Sequence, residues 1–202
     1  MKRLVTILLL LLTAASSLAA ERFPHGRWSV GLDAVGDIIN GGDDRSDLNV
    51  DDHGSGAALR LGFLLGPTLQ IMLHSTVTEH QTNLDDTALR YEGATFDIVY
   101  LFRPGHTFRP YLSGGGGGYM VTSQKDALTF ESEGGAAVFG AGFHMNLNRH
   151  LGLHAQGRFV AINWNMNRAT LQMDGGGTTV IETPIEKSGT MTTLSAGGTF
   201  RF

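Results

Sequence analysis

The chain has 202 residues, with 28 glycines, 5 prolines and no cysteine, which excludes a disulfide framework and a thiolate metal site. Its formal net charge is −4, and it becomes −6 when Lys2 and Arg3 are left out, so nucleic acid is not expected as a partner. The chain is 42% hydrophobic, yet beyond residue 20 it has no apolar run of the roughly 18–20 residues that a helical membrane span needs.

Residues 1–20 have the three parts of a secretory signal peptide: a positive start, twelve apolar residues and a site of small residues. Twelve apolar residues are too few to cross a bilayer as a helix, which disfavours the alternative of an amino-terminal membrane anchor. We therefore predict that 1–20 is cleaved, after Ala19 or Ala20, and that residues 21–202 form one domain.

The mature chain contains eight segments in which apolar and polar residues alternate, the period of extended strands. The segments are 28–34, 57–65, 69–77, 96–102, 110–121, 137–147, 151–159 and 194–202. Three connections are short, and the other four are long, polar and acidic. The short ones lie near 66–67, 104–107 and 148–149, and the long ones run over roughly 37–53, 79–88, 123–133 and 165–189.

Short turns on one side and long loops on the other are typical of outer-membrane barrels. The pattern predicts an all-β fold, an eight-stranded antiparallel transmembrane up-and-down β-barrel with both chain ends on the short-turn side. Alternation alone leaves open a soluble barrel of the lipocalin kind or a β-sandwich. The apolar face favours the membrane because aromatic residues lie near its strand ends, as in interfacial girdles: Trp28, Phe63, Phe102, Phe143 and Phe202.

The last nine residues carry the most specific signal. They alternate strictly and fit the pattern polar, any, glycine, any, any, aromatic, any, aromatic, with Ser195, Gly197, Phe200 and Phe202 in the fixed places. This pattern resembles the terminal signal by which the outer-membrane insertion machinery recognises its β-barrel substrates. We expect Phe200 and Phe202 to face lipid at the periplasmic rim.

If the apolar face meets lipid, the opposite face lines the barrel. Five charged residues from five strands then point inward: Asp33, Arg60, Asp97, Arg158 and Arg201. The interior of an eight-stranded barrel is just filled by side chains, and unpaired charges there are costly, so we predict one network of ion pairs that plugs the lumen. Arg201 is expected to join Asp33 and Asp97, with His74, His144, His154 and Gln156 hydrogen-bonded around them. The alternative is a polar pore.

Two further patterns in the sequence bear on chemistry. The segment 37–52 holds six aspartates, whose oxygens suit a divalent cation, but their spacing does not fit the twelve-residue calcium loop. A hydrated surface loop is favoured there, and no metal or cofactor is expected. His74 and Ser75 are adjacent, so in a strand their side chains point to opposite faces and cannot form a nucleophile–base pair. The sequence therefore favours a protein that is not an enzyme.

The segment 109–119, Arg-Pro-Tyr-Leu-Ser followed by five glycines and Tyr, resembles the Pro-Tyr, glycine-rich strand of the small outer-membrane β-barrel superfamily. That superfamily includes the transmembrane domain of outer membrane protein A and opacity-type surface antigens. Some relatives carry a periplasmic peptidoglycan-binding domain, which this chain is expected to lack.

The resemblance implies a monomer in the bacterial outer membrane with a structural or surface-interaction role. Its implied partners are outer-membrane lipids and lipopolysaccharide, together with periplasmic chaperones and the barrel-assembly machinery during biogenesis. The alternatives are a narrow channel for small solutes and an outer-leaflet lipid-modifying enzyme.

Overall fold

A computed structural model describes residues 26–42, 50–82, 88–125, 128–172 and 178–202. The predicted signal peptide and its cleavage site lie outside the described residues. Eight strands follow one another along the chain. They are β1 (Trp28–Gly42), β2 (Val50–Leu64), β3 (Leu69–Thr82), β4 (Ala88–Leu101), β5 (Phe108–Lys125), β6 (Leu128–Asn146), β7 (Leu151–Gln172) and β8 (Thr178–Arg201).

Each strand pairs antiparallel with the next, and β8 returns to pair with β1, so the sheet is a closed barrel. The predicted fold class is confirmed. At the seam, Trp28 and Phe202 exchange both main-chain hydrogen bonds, at 3.1 and 3.0 Å. The carboxy-terminal strand therefore closes the barrel and removes the free sheet edges that would otherwise invite pairing with other chains.

The strand faces point as the alternation predicts. On β1, Leu32 is 67% exposed while the adjacent Asp33 is 4% exposed. The same contrast separates Phe96 from Asp97 on β4. Apolar side chains therefore cover the outside, as lipid contact requires, and the charged side chains of the crossing point inside.

The glycine run of β5 has a steric reason. A side chain on Gly117 would collide with the carbonyl oxygen of Ala94 on β4, and one on Gly115 would collide with that of Phe96. At these positions the backbones approach too closely for a Cβ, as expected where a small barrel curves sharply.

The strands are much longer than the sequence predicts, which corrects the four long connections. A tilted crossing needs about 9–11 residues, whereas β7 has 22 and β8 has 24. Most of the predicted loops are paired strand, and only 43–49, 83–87, 126–127 and 173–177 between the strands lie outside the described residues. Paired strands beyond the membrane tolerate polar and acidic residues on both faces, so hydrophobicity does not mark their ends.

We call the segments 128–134, 164–172 and 178–187 the outer extension, because they continue β6, β7 and β8 beyond the apolar band. The described residues contain no helix that is long and apolar enough to cross a membrane. Inside the barrel, one apolar cluster lies toward the three short turns and a second lies toward the outer extension. The first contains Leu64, Met72, Val99, Leu101 and Tyr111, and the second contains Tyr119, Val138, Val160, Ile162 and Met191.

Candidate functional site

The lumen holds two buried ion pairs, which lie in a polar band between the apolar clusters. The first joins neighbouring strands β1 and β2. Arg60 donates two hydrogen bonds to the Asp33 carboxylate, from Nε to Oδ2 at 2.7 Å and from Nη2 to Oδ1 at 2.9 Å. Thr199 accepts a further bond from Nη2 at 3.2 Å, and the Nδ1 atom of His154 lies 3.4 Å from Asp33. The bidentate geometry is the strong form of an arginine–carboxylate pair.

The second pair crosses the barrel from β7 to β4. Arg158 Nη2 donates to Asp97 Oδ2 at 2.8 Å and to Thr95 Oγ1 at 2.6 Å. Its Nη1 reaches His74 Nδ1 on β3 at 2.5 Å, so that ring nitrogen accepts. Because β7 and β4 are not neighbours in the barrel, the Arg158 side chain must span the lumen to make these contacts.

Close polar contacts link the two pairs into one chain, which we call the central network. The Tyr111 hydroxyl lies 2.7 Å from His154 Nε2 and donates to Gln156 Oε1 at 2.9 Å. The Gln156 amide nitrogen lies 3.3 Å from His74 Nε2. Because Nδ1 of this ring accepts from Arg158, the approach to Nε2 is a contact between two donors rather than a hydrogen bond. The remaining predicted histidine, His144, stacks on Tyr111 with ring centroids 4.9 Å apart.

Arg201 does not have the partners expected for it. The structure brings Asp33, Arg60, Asp97 and Arg158 into the central network, but the Nη1 atom of Arg201 donates to Asn146 Oδ1 at 2.5 Å. The physical reason is the position of Arg201 at the very end of β8, close to the short turns, where an asparagine on β6 is within reach and where Asp33 and Asp97 already pair with Arg60 and Arg158.

A third buried carboxylate corrects the interpretation of the acidic segment 37–52. Asp37 belongs to β1 and points into the lumen, where its Oδ1 lies 3.0 Å from His80 Nε2 and its Oδ2 accepts from Thr78 at 2.6 Å. Tyr91 packs edge-on against His80, with ring centroids 5.0 Å apart. Asp37 shares the odd-numbered face of β1 with Asp33, so extending the alternation by four residues could have found it.

The outer extension reverses the arrangement of the membrane-crossing part. On its outward face, Arg168 on β7 lies between Glu182 on β8, at 2.9 Å, and Glu131 on β6, at 3.4 Å. Hydrogen bonding to Glu182 raises the pKa of Arg168 above its ordinary value. The inward face carries the exposed apolar residues Phe130 and Ile181.

The terminal motif splits between the two faces of β8. Ser195 is buried toward the lumen, whereas Phe200 and Phe202 are exposed on the lipid-facing side next to Trp28 of β1. This geometry leaves both aromatic rings accessible in the finished barrel. Their recognition by the assembly machinery stays a prediction.

The fold keeps His74 and Ser75 apart as a nucleophile–base pair. His74 is buried in the central network while Ser75 is exposed on the opposite face of β3. Among the described residues, no group of three or more histidine, aspartate or glutamate side chains is arranged to hold a metal ion.

Comparison with known proteins agrees with this architecture. The model of the family described as "Outer membrane protein beta-barrel domain" matches residues 5–199. No curated protein matches the chain. The fold is similar to OprG from Pseudomonas aeruginosa, at 16% identity and a TM-score of 0.55, over 89% of this chain and 97% of OprG.

The fold is also similar to Neisserial surface protein A (NspA), at 16% identity and a TM-score of 0.58, over 87% of this chain and 97% of NspA. A third similar structure is Ail, the attachment invasion locus protein of Yersinia pestis, at 14% identity and a TM-score of 0.52, over 88% of this chain and 99% of Ail. Identities at this level establish the fold alone. With the family model matching nearly its whole length, the chain belongs to the outer membrane protein β-barrel domain family.

Proposed function

We propose that this protein is a structural outer-membrane barrel with a plugged lumen, which presents its outer extension for interaction at the cell surface. The plug is carried by one observation, the Arg158 side chain that spans the lumen between β7 and Asp97 on β4. The guanidinium is held at both ends of its fork, by Asp97 and Thr95 on one nitrogen and by His74 on the other.

Opening such a plug would cost free energy. A buried guanidinium that leaves its carboxylate is still desolvated but no longer gains the attraction of the opposite charge. Apolar clusters on both sides of the central network narrow the path further. A continuous aqueous route is therefore disfavoured, in contrast to the wide lumen of larger barrels.

Planar-bilayer recording with the purified, folded protein tests the plug. The wild-type protein should give no stable single-channel steps. The double variant Asp97→Ala/Arg158→Ala removes both side chains without changing the net charge, and it should conduct more than the wild type. Stable steps from the wild-type barrel would overturn the plugged lumen and favour a narrow channel for small solutes.

The surface role is supported by the length of the outer extension. Since about 9–11 residues suffice to cross the membrane, the 22 and 24 residues of β7 and β8 are long enough for a paired hairpin that extends beyond it. Phe130 and Ile181 are exposed apolar residues on its inward face, which does not contact lipid. Exposed apolar residues of this kind are typical of interaction sites.

A shortened hairpin separates the structural role from the surface role. Met166 and Pro184 are register partners, so replacing 167–183 with a two-residue turn should keep the barrel intact. In a deletion strain, the shortened chain should restore resistance to detergent as well as the full chain does, but should lose binding of whole cells to immobilised surfaces. Equal cell binding by both chains would contradict the surface role.

The proposal assigns the barrel no enzymatic activity, because the hydroxyls beside the buried histidines, Thr76 at His74 and Tyr111 at His154, are themselves buried inside the barrel. Incubation of the folded protein with lipopolysaccharide, followed by mass analysis of the lipid, should show no loss of acyl chains. Acyl release that disappears on mutation of one histidine or serine would favour an outer-leaflet lipid-modifying enzyme instead.

A further inference from the structure

Two lumen arginines near the short turns have neutral partners only. Arg109 on β5 is 8% exposed and donates to the carbonyl oxygen of Pro67 in the turn between β2 and β3. Arg201 on β8 donates to the amide oxygen of Asn146. Within the part of the chain that the structure describes, neither guanidinium forms an ion pair with a carboxylate. We call these two residues the mouth arginines.

The mouth arginines both lie against the last residues of β6. Arg109 on β5 is the register partner of His144, and Arg201 donates to Asn146, two residues further along the same face of β6. The Nε atom of Arg109 is buried and has no hydrogen-bond partner. One guanidinium donor is therefore unsatisfied at the end of the lumen that holds both arginines.

The surrounding end of the barrel adds to the positive potential. The turn residues 65–68, 102–107 and 147–150 include exposed Arg103 and Arg149 and contain no aspartate or glutamate. At the opposite end, the outward positions include Glu79, Glu92 and Glu133. In outer-membrane barrels the short turns face the periplasm, so the charge is polarised, positive toward the periplasm and negative toward the outside.

An uncompensated cation in a partly desolvated site is costly, and two of them nearby repel each other. The central network avoids this cost because Arg60 and Arg158 each have a carboxylate. The mouth arginines lack one, yet they are guanidiniums, whose planar forks match the oxygens of phosphate groups. A bound oxyanion would satisfy the open donor and lower the repulsion at once.

We propose that the periplasmic mouth of the lumen is a binding site for a phosphate-class oxyanion, held by Arg109 and Arg201. Two sources share this chemistry: a phosphorylated solute of the periplasm and the headgroup of an anionic phospholipid in the inner leaflet. A solute would enter through the mouth itself, whereas a headgroup would reach the two guanidiniums from the lipid around the rim.

Binding to the full chain in nanodiscs distinguishes the sources. In the first arm, inorganic phosphate is titrated by calorimetry into protein in phosphatidylcholine discs. In the second arm, native mass spectrometry counts the lipids retained from discs that contain one phosphatidylglycerol in five. Arg109→Gln and Arg201→Gln are the test variants, and Arg149→Gln, exposed on the same rim, is the matched control. Heat-modifiable gel migration verifies that each variant is folded.

We expect the wild type to bind in at least one arm, and each test variant to bind at least tenfold more weakly there, with Arg149→Gln within twofold of the wild type. Loss in the phosphate arm identifies a solute site, and loss in the lipid arm alone identifies a headgroup site. The proposal is overturned if the wild type binds neither probe, if the test variants bind as the wild type does, or if Arg149→Gln weakens binding as much as they do.

Discussion

The outer extension continues strands of the membrane-crossing part of the barrel, but charged and apolar residues lie on opposite faces in the two regions. In the first, charges point inward and are buried in pairs such as Asp97 with Arg158, while apolar residues such as Phe139 point outward. In the second, Arg168 and its glutamates lie on the outward face and the apolar Phe130 on the inward one.

The difference shows that the surroundings of a strand face, lipid or water, determine whether charged residues are tolerated on it. Lipid excludes charge from the outward face of the crossing, so charged residues can be placed only in the lumen, where they need partners. Beyond the membrane both faces meet water, and a charge on either face is nearly free of desolvation cost. The same kind of ion pair should therefore matter greatly in one region and hardly at all in the other.

The largest effect is expected from removing one charge of a buried pair. Asp97→Asn keeps the shape but leaves the Arg158 guanidinium buried without its carboxylate. We expect the free energy of unfolding in lipid vesicles, measured by urea titration, to fall by about 3–5 kcal/mol. Glu92→Gln, an outward carboxylate on the same strand, is the matched control and should leave the unfolding curve nearly unchanged.

The double variant Asp97→Asn/Arg158→Gln refines this prediction. Since it removes both charges, no uncompensated ion remains, and it should regain much of the stability that Asp97→Asn loses. If the single variant is as stable as the wild type, the central network does not hold its charges in the desolvated setting that the structure describes, and the contrast between the two regions fails.

An intermediate effect is expected from placing the same charge on the two regions of one strand. Phe139 and Phe130 are both on β6 and are 65% and 51% exposed. Phe139→Arg puts a cation against lipid and should lower the free energy of unfolding by about 2–4 kcal/mol near the bilayer midplane. Phe130→Arg should cost much less, because its position meets water. Equal losses in a urea titration would show that the inward face of the outer extension does not meet water.

The strand number, the order of pairing and the facing of the lumen residues follow from alternation alone. Asp33, Arg60, Asp97 and Arg158 could be placed inward because a two-residue period has one solution once lipid is put on the apolar side. The individual pairs did not follow, since alternation predicts a network of aspartates and arginines without saying which arginine meets which aspartate. Arg201 shows the limit of this reasoning. Its partner depends on its position along the barrel axis, and alternation predicts only which face a residue lies on.

The strand ends could not be predicted, because hydrophobicity changes at the membrane surface while hydrogen-bonded pairing continues beyond it. Asp37 was assigned to a loop for this reason, although it is buried against His80. Irregular register near Glu133 and Gly134 adds to the difficulty, because a bulge reverses the facing of every later residue on the bulged strand. Arg109 was overlooked since it adjoins a proline at the start of β5, where alternation is weakest.

The smallest effect is expected from breaking the exposed ion pairs of the outer extension. Glu182→Gln removes the carboxylate that Arg168 approaches at 2.9 Å, the same kind of change as Asp97→Asn. Here water solvates the freed guanidinium and Glu131 stays within 3.4 Å, so no buried charge is created. The urea midpoint should be indistinguishable from that of the wild type at moderate salt. A loss comparable to that of Asp97→Asn would mean that the outward face of the extension is desolvated, for instance by packed lipopolysaccharide, and would move the membrane boundary outward along β6, β7 and β8.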